Sequence, residues 1–349
     1  MSLRTGSLRR APLAAGVGVG GVLLLAAVVL SVGIGPIGLA PREVVAVVAH
    51  ELFGVGDGAE RLATTVVMDL RMPRVLFGAL AGAALATSGA ALQSLFNNPL
   101  ADPGVIGVSG GASAGAVLAI VALPVAGGSA WAVPAAAFAG GLLATGLIYA
   151  LARPGRGTGT SRLLLVGIAV GAACASITGF CTFMADDDQL RDIVFWQMGS
   201  LASVDWTELA IGAVVVVAGV TGLVTMHRRL DMLTLGERQA RHLGLDVTRT
   251  RAVLVVVTAL LTAVTVAFAG IIGFVGLVVP HIVRMAFGPA HRALIPMSAL
   301  VGGLLIVLAD TAARTVAPPS EVPIGLFTSA LGAPFFLWLV LRERPGVGS

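Results

Sequence analysis

Most catalytic chemistry needs an acid and a base within reach of each other, and this sequence offers almost none in that form. Its 22 basic residues are all arginine, with no lysine anywhere in the chain. A Schiff base, a lysine general base and a phosphate loop of the G-x-x-x-x-G-K-[ST] kind are therefore all excluded. No H-E-x-x-H, no paired intramembrane aspartates and no plausible Ser–His arrangement is present, so no catalytic residue, metal site or resident cofactor is expected. Cys174 and Cys181 are seven apart in one apolar segment, about two helical turns from each other, and read as small core residues.

What remains is recognition chemistry and polar interruption of apolar segments. Arginine's planar fork grips carboxylates in pairs and keeps its charge throughout the physiological range. Pro280, His281 and Arg284 interrupt G-I-I-G-F-V-G-L-V-V-P-H-I-V-R, with His281 and Arg284 on one helix face and a structural role favoured for the histidine. The stretch Gln93 to Ala112, Q-S-L-F-N-N-P-L-A-D-P-G-V-I-G-V-S-G-G-A, breaks helix with two prolines and several glycines. Non-helical backbone at membrane depth survives only beside protein or a water-filled cavity, so a polar pathway is implied. A proton relay would need acids along that path. The nearest, Asp69, Asp102, Asp310 and Glu321, all fall near segment ends, which weighs against an ion-coupled secondary transporter.

The elements that position these groups are membrane spans. With 57% hydrophobic and 11% charged residues, the chain is far too apolar for a soluble domain. Apolar segments divide as 13–34, 72–95, 104–123, 131–152, 163–184, 207–226, 251–268, 270–287, 293–311 and 323–341, which predicts an all-α integral membrane protein of about ten helices. The first span is too long for a signal-peptide core and is expected to remain as a helix. If both termini are cytoplasmic, sixteen arginines fall inside and six outside, so the formal net charge of +4 resolves into an inner face of +11 and an outer face of −7. That arginine bias satisfies the positive-inside rule.

Two outer stretches carry structure of their own. Residues 41–53 place Val44, Val47, Val48 and Leu52 at helical spacing for a short surface helix, and 186–206 place Trp196 and Trp206 at an interface. On the inside, His227 to Val247 predicts two short helices around Gly236 and Gly244. Leu235, Ala240, Leu243 and Leu245 are available to pack on a partner, with Glu237, Arg238, Gln239 and Arg241 facing water or a second protein. The blander alternative is a basic loop held near anionic lipid.

Several ordered motifs resemble one family almost end to end. R-M-P-R at 71–74, S-G-A-A-L-Q with N-P-L-A-D-P, T-S-R-L-L-L-V-G at 160–167, W-Q-M-G-S-L, L-G-E-R-Q-A-R-H-L-G, G-F-V-G-L-V-V-P-H-I-V-R, A-D-T-A-A-R and E-V-P-I-G-L-F-T are similar to motifs of the permease subunits of ABC importers for iron–siderophore complexes, haem and cobalamin. The resemblance implies a type II importer permease fold, one transmembrane domain over residues 1–349. It has a cytoplasmic N-terminus at 1–12, a coupling region at 227–250 and a cytoplasmic tail at 342–349.

It implies a second permease copy or a paralogue, two cytoplasmic ABC ATPase subunits beneath and an extracytoplasmic binding lipoprotein above, in the cell membrane, with lipid and without nucleic acid. Docking to the binding protein would fall on Arg71, Arg74 and Arg314, one of the first two packing against Asp69. Coupling to the ATPase would fall on Leu235, Gly236, Glu237, Arg238, Ala240, Arg241, Leu243 and Gly244. The path and inner gate would fall on Gln93, Asn98, Pro99, Leu100, Thr160 and Ser161. The missing lysine agrees with hydrolysis on separate subunits. Ferric siderophores, the commonest cargo of such permeases, are the expected substrate, with cobalamin or haem as the alternative.

Overall fold

A computed structural model describes residues 13–55, 60–122, 130–152, 161–318 and 320–342. All regular secondary structure in those residues is helical. Seven helices are long and apolar enough to cross a membrane, and three shorter apolar ones complete the ten spans read from the sequence.

The first span, α1, runs Leu13–Gly33, and α2, Pro41–Phe53, follows on the surface. Val44 and Val47 of α2 are buried against Ala63 and Val67, as its spacing predicts. A continuous stretch of 35 residues comes next. It comprises α3 (Arg61–Thr64), a π-helical segment (Thr65–Arg71) and α4 (Met72–Leu95). This span starts eleven residues before the predicted 72, because Pro73 does not end the helix. The π turn takes up the ring: Met72 N donates to Val67 O, five residues back, and Pro73 follows in the same register.

After α4 the chain breaks, turns through a 3₁₀ segment at Pro103–Ile106, and resumes as α5 (Val108–Ala122), α6 (Ala132–Ala152) and α7 (Ser161–Met184). The outer helix α8 (Asp187–Met198) is opened by a capping box between Asp186 and Gln189, and α9 (Trp206–Thr225) by one between Asp205 and Glu208. Two short inner helices, α10 (His227–Leu233) and α11 (Glu237–His242), lead to α12 (Val247–Ala269). A second break precedes α13 (Val275–Phe287), then come α14 (His291–Ala313) and α15 (Ile324–Arg342). The predicted 270–287 span is thus a shorter helix, with Phe274 at its head in the left-handed region (φ 67°).

The centre of the bundle is α4, packed by α14, α12, α9 and α13. Small residues permit this without a hydrophobic drive between helices. A Cβ on Gly82 would overlap the Gly302 carbonyl, and one on Gly89 the Gly276 carbonyl, so backbone meets backbone at both crossings. The two breaks also touch, since a Cβ on Gly276 would meet the Pro103 ring.

Candidate functional site

Three polar regions lie along the bundle: an arginine–carboxylate cluster at the outer end, a broken segment with an adjoining chamber, and an inner polar junction.

At the outer end, α1, α4 and α14 are tied by three arginines. Arg71 donates to Val32 O and Gly33 O (both 3.1 Å) and Ile37 O (2.5 Å). Arg314 donates to Ser31 O (2.8 Å) and Ser31 Oγ (2.5 Å) and pairs with Asp310 (3.2 Å). The last carbonyls of α1, which have no intrahelical partners, are thereby capped by two cations at the negative end of the helix dipole. Arg74 forks between two carboxylates, Asp310 (2.8 Å) and Glu321 (2.8 Å). The sequence expects all three to face a partner, but Arg71, Arg74 and Arg314 are 5%, 7% and 2% exposed and engaged within the chain. Nor does Asp69 take either of the first pair: it stays exposed, while Arg71 goes to carbonyls and Arg74 to Asp310 and Glu321. Glu321, with 35% of its side chain accessible, is the member of the cluster that reaches solvent.

The break after α4 carries Asn97 in the left-handed region (φ 47°), and Asn97, Asn98, Pro99 and Leu100 are exposed. Asn98 Oδ1 accepts from Leu100 N (2.9 Å) and Asp102 Oδ1 from Gly104 N (2.8 Å), so side chains replace the lost ladder. An open chamber of about 730 Å³ lies between α5, α7 and α8, with Ser109, Ser113, Thr178, Thr182 and Gln197 on its wall. Among the described residues no charged one lines it. Gln93 does not line a path. It is buried, donating to Gly276 O (3.2 Å) and accepting from Arg284 Nη2 (2.6 Å). Pro280 explains why: it has no N–H for the carbonyl four residues back, Gly276 O, and Gln93 supplies the donor. Pro73 receives the same treatment, with Trp206 Nε1 donating to Met68 O (2.9 Å), the carbonyl it leaves free in π register. Thr160 and the Ser161 side chain lie outside the described residues.

On the inside, α10 and α11 form around Gly236 (φ 93°) and Gly244 (φ 86°), the two positions expected. Leu235 and Leu243 stand 56% and 58% exposed on either side of α11. Ala240, read from the sequence as a partner contact, is instead fully buried against the bundle. Glu237 is not simply solvated either: it pairs with the buried Arg251 of α12 and, at 3.6 Å, with Arg241. Arg238 remains exposed. Arg284 reaches Gln93 while its helix neighbour His281 stacks edge-on against Phe335 (6.0 Å), so sharing a face does not make them one site.

The residues that spacing could not find are Ser94, Asp231 and His291. Ser94 Oγ lies 2.5 Å from His291 Nε2, and His291 Nδ1 lies 2.7 Å from Asp231 Oδ1. They are 60 to 197 residues apart, and only the fold unites them. Among the described residues no group of acids, histidines and cysteines is placed to hold a metal. Cys174 and Cys181 are free and buried.

Among the described residues, seven helices long and apolar enough to cross a membrane and three shorter ones, packed around two facing breaks, define a multi-pass membrane protein. The FecCD transport family profile matches residues 23–342. The hemin transport system permease of Yersinia pestis is 42% identical over 280 residues, 79% of this chain and 83% of its own length. The cobalamin import system permease of Halobacterium salinarum is 44% identical over 306 residues, 87% of this chain and 79% of its own. Among solved structures, an inward-facing metal-chelate type ABC transporter superposes with a TM-score of 0.81 at 30% identity, covering 93% of this chain and 98% of its own. The chain belongs to the FecCD transport family. It is a permease subunit of an ABC transporter, not an enzyme in its own right.

Proposed function

We propose that this chain is the membrane permease of an ATP-driven importer for metal–tetrapyrrole chelates, with a corrinoid as its cargo. The relatives named above handle hemin and cobalamin, which favours these over the ferric siderophores suggested by family frequency alone. The observation that favours a corrinoid is a mostly apolar chamber wall whose polar groups are serine, threonine and glutamine, with no charged residue among those described. The two carboxylates of haem would meet no cation among those wall residues. The amides around a corrinoid exchange hydrogen bonds with hydroxyl and amide groups instead, weakly enough for release. In proteoliposomes containing this permease with its ATPase and binding protein, ATP should drive accumulation of radiolabelled cyanocobalamin in preference to haemin. Haemin accumulation with no cyanocobalamin uptake would overturn the corrinoid assignment.

The remaining assignments follow the same reading. Two ATPase subunits sit below the dimer of this permease with a copy or paralogue and dock on residues 233–247, where Leu235 and Leu243 flank α11. The turn Asn98–Pro99–Leu100 with Thr160 and Ser161 closes the inner end, and both termini are cytoplasmic. A binding lipoprotein docks over the arginine cluster. Because the arginines are internal, docking works by exchange: a carboxylate of the binding protein displaces the half-exposed Glu321 from the Arg74 fork. Glu321→Gln should therefore tighten binding-protein affinity, whereas Arg74→Glu should abolish it, as read by titration of the binding protein onto permease–ATPase complex in nanodiscs.

A further inference from the structure

The inner ends of α4, α10 and α14 meet on a chain of hydrogen bonds that neither the transport reading nor any sequence motif uses. Asp231 Oδ1, on α10, accepts from both the backbone N (2.9 Å) and Nδ1 (2.7 Å) of His291 at the head of α14. It caps that helix from outside, where Ala290 offers no side-chain cap. His291 Nε2 then meets Ser94 Oγ on α4 (2.5 Å), and Ser94 Oγ also lies 3.0 Å from Ala90 O. His291 and Ser94 are 2% and 3% exposed.

The hydroxyl has one proton and two acceptors facing it. Given to Nε2, it leaves a neutral ring donating through Nδ1 to Asp231. Given to Ala90 O, it lets a protonated ring donate from both nitrogens. The three residues therefore stay connected in either state with their heavy atoms unmoved. Gln93, one residue earlier, fixes the same turn of α4 to α13 through Gly276 O and Arg284.

The two ends of the chain sit at informative places. Asp231 lies two residues before Leu233, where α10 runs into the inner segment 233–247. Ser94 lies three residues before Asn97, where α4 gives way to the exposed turn 97–100. A hydrogen bond buried among apolar groups is expensive to leave unmade, so a displaced α10 carries its partners with it. We infer that Asp231, His291 and Ser94 are positioning residues that transmit movement of the ATPase-docking segment to the gate turn at Asn97–Leu100. This rests on the proposed docking of the ATPase at 233–247.

The test reads gate position independently of cargo. In a chain with Cys174→Ala, Cys181→Ala and Leu100→Cys, assembled with its ATPase in inside-out vesicles, the labelling rate of the new thiol by an impermeant maleimide is measured with and without ATP–vanadate trapping. One buried hydrogen bond supports about a tenfold shift in such an equilibrium, so trapping should alter the rate about tenfold. Adding Ser94→Ala should reduce that change to below about twofold while vanadate trapping of ADP persists, and Ser94→Thr should restore it. His291→Asn, which keeps the Asp231 half and drops the Ser94 half, should behave as Ser94→Ala does and carries the reading if the alanine variant assembles poorly. A full nucleotide response in both variants overturns the link. No response in the parent chain overturns the docking assignment at 233–247 and the link with it.

Discussion

At the scale of single residues, one buried polar side chain repairs a proline-broken helix. Gln93 fills the carbonyl that Pro280 leaves bare, and a double-mutant cycle isolates this. Gln93→Leu should destabilise the protein by about 1–3 kcal/mol, the cost of a buried acceptor left unmet. In a Pro280→Ala background, where residue 280 regains its N–H, the same change should cost less, with an interaction term of about 1 kcal/mol. Thermal unfolding in detergent or denaturant titration in bicelles would measure it, and equal costs in both backgrounds would refute the account. The sequence made Gln93 visible as a polar residue next to a break, but not its direction. A glutamine at a helix end points at a pore or at a neighbouring proline's orphan with the same local pattern, and the partner lies 183 residues away.

At the scale of elements, ten spans, the α2 surface helix and the two inner helices were all legible, because each is a local matter of apolar length, spacing and glycine. The start of the second span was not. Proline next to an arginine reads as a boundary, whereas a π turn carries the helix through Pro73 to a start at Arg61. The crossing of α4 with α13 and α14 was visible only as an abundance of small residues. The structure names the positions that cannot grow: Gly89 against Gly276 and Gly82 against Gly302. Gly89→Val should separate α4 from α13 and break the Gln93 bond along with the packing, costing about 3 kcal/mol or more, while Gly146→Val, which meets nothing within 4 Å, should be nearly neutral. Expression level and melting temperature in detergent would discriminate the two.

At the scale of the whole molecule, the sorting of arginines supports the proposed orientation and sets Arg71, Arg74 and Arg314 apart as exceptions. That they stand apart was legible; their surroundings were not, since the acids and carbonyls that enclose them come from α1, α14 and the segment before α15. Cargo was the least legible, because the chamber wall is assembled from α5, α7 and α8 and no local sequence motif marks it. The two proline repairs differ in one respect that bears on how the chain enters the membrane. Synthesis proceeds from the N-terminus, so Gln93 is made before Gly276, and the donor precedes the buried carbonyl it serves. Met68 has the opposite history: it waits for Trp206, 138 residues later, but sits at the watery outer edge beside exposed Asp69, where solvent can serve meanwhile. The order of the helices along the chain thus provides the donor first where the orphaned carbonyl is buried, and reversing it by circular permutation should leave the finished fold intact while hindering insertion of α13.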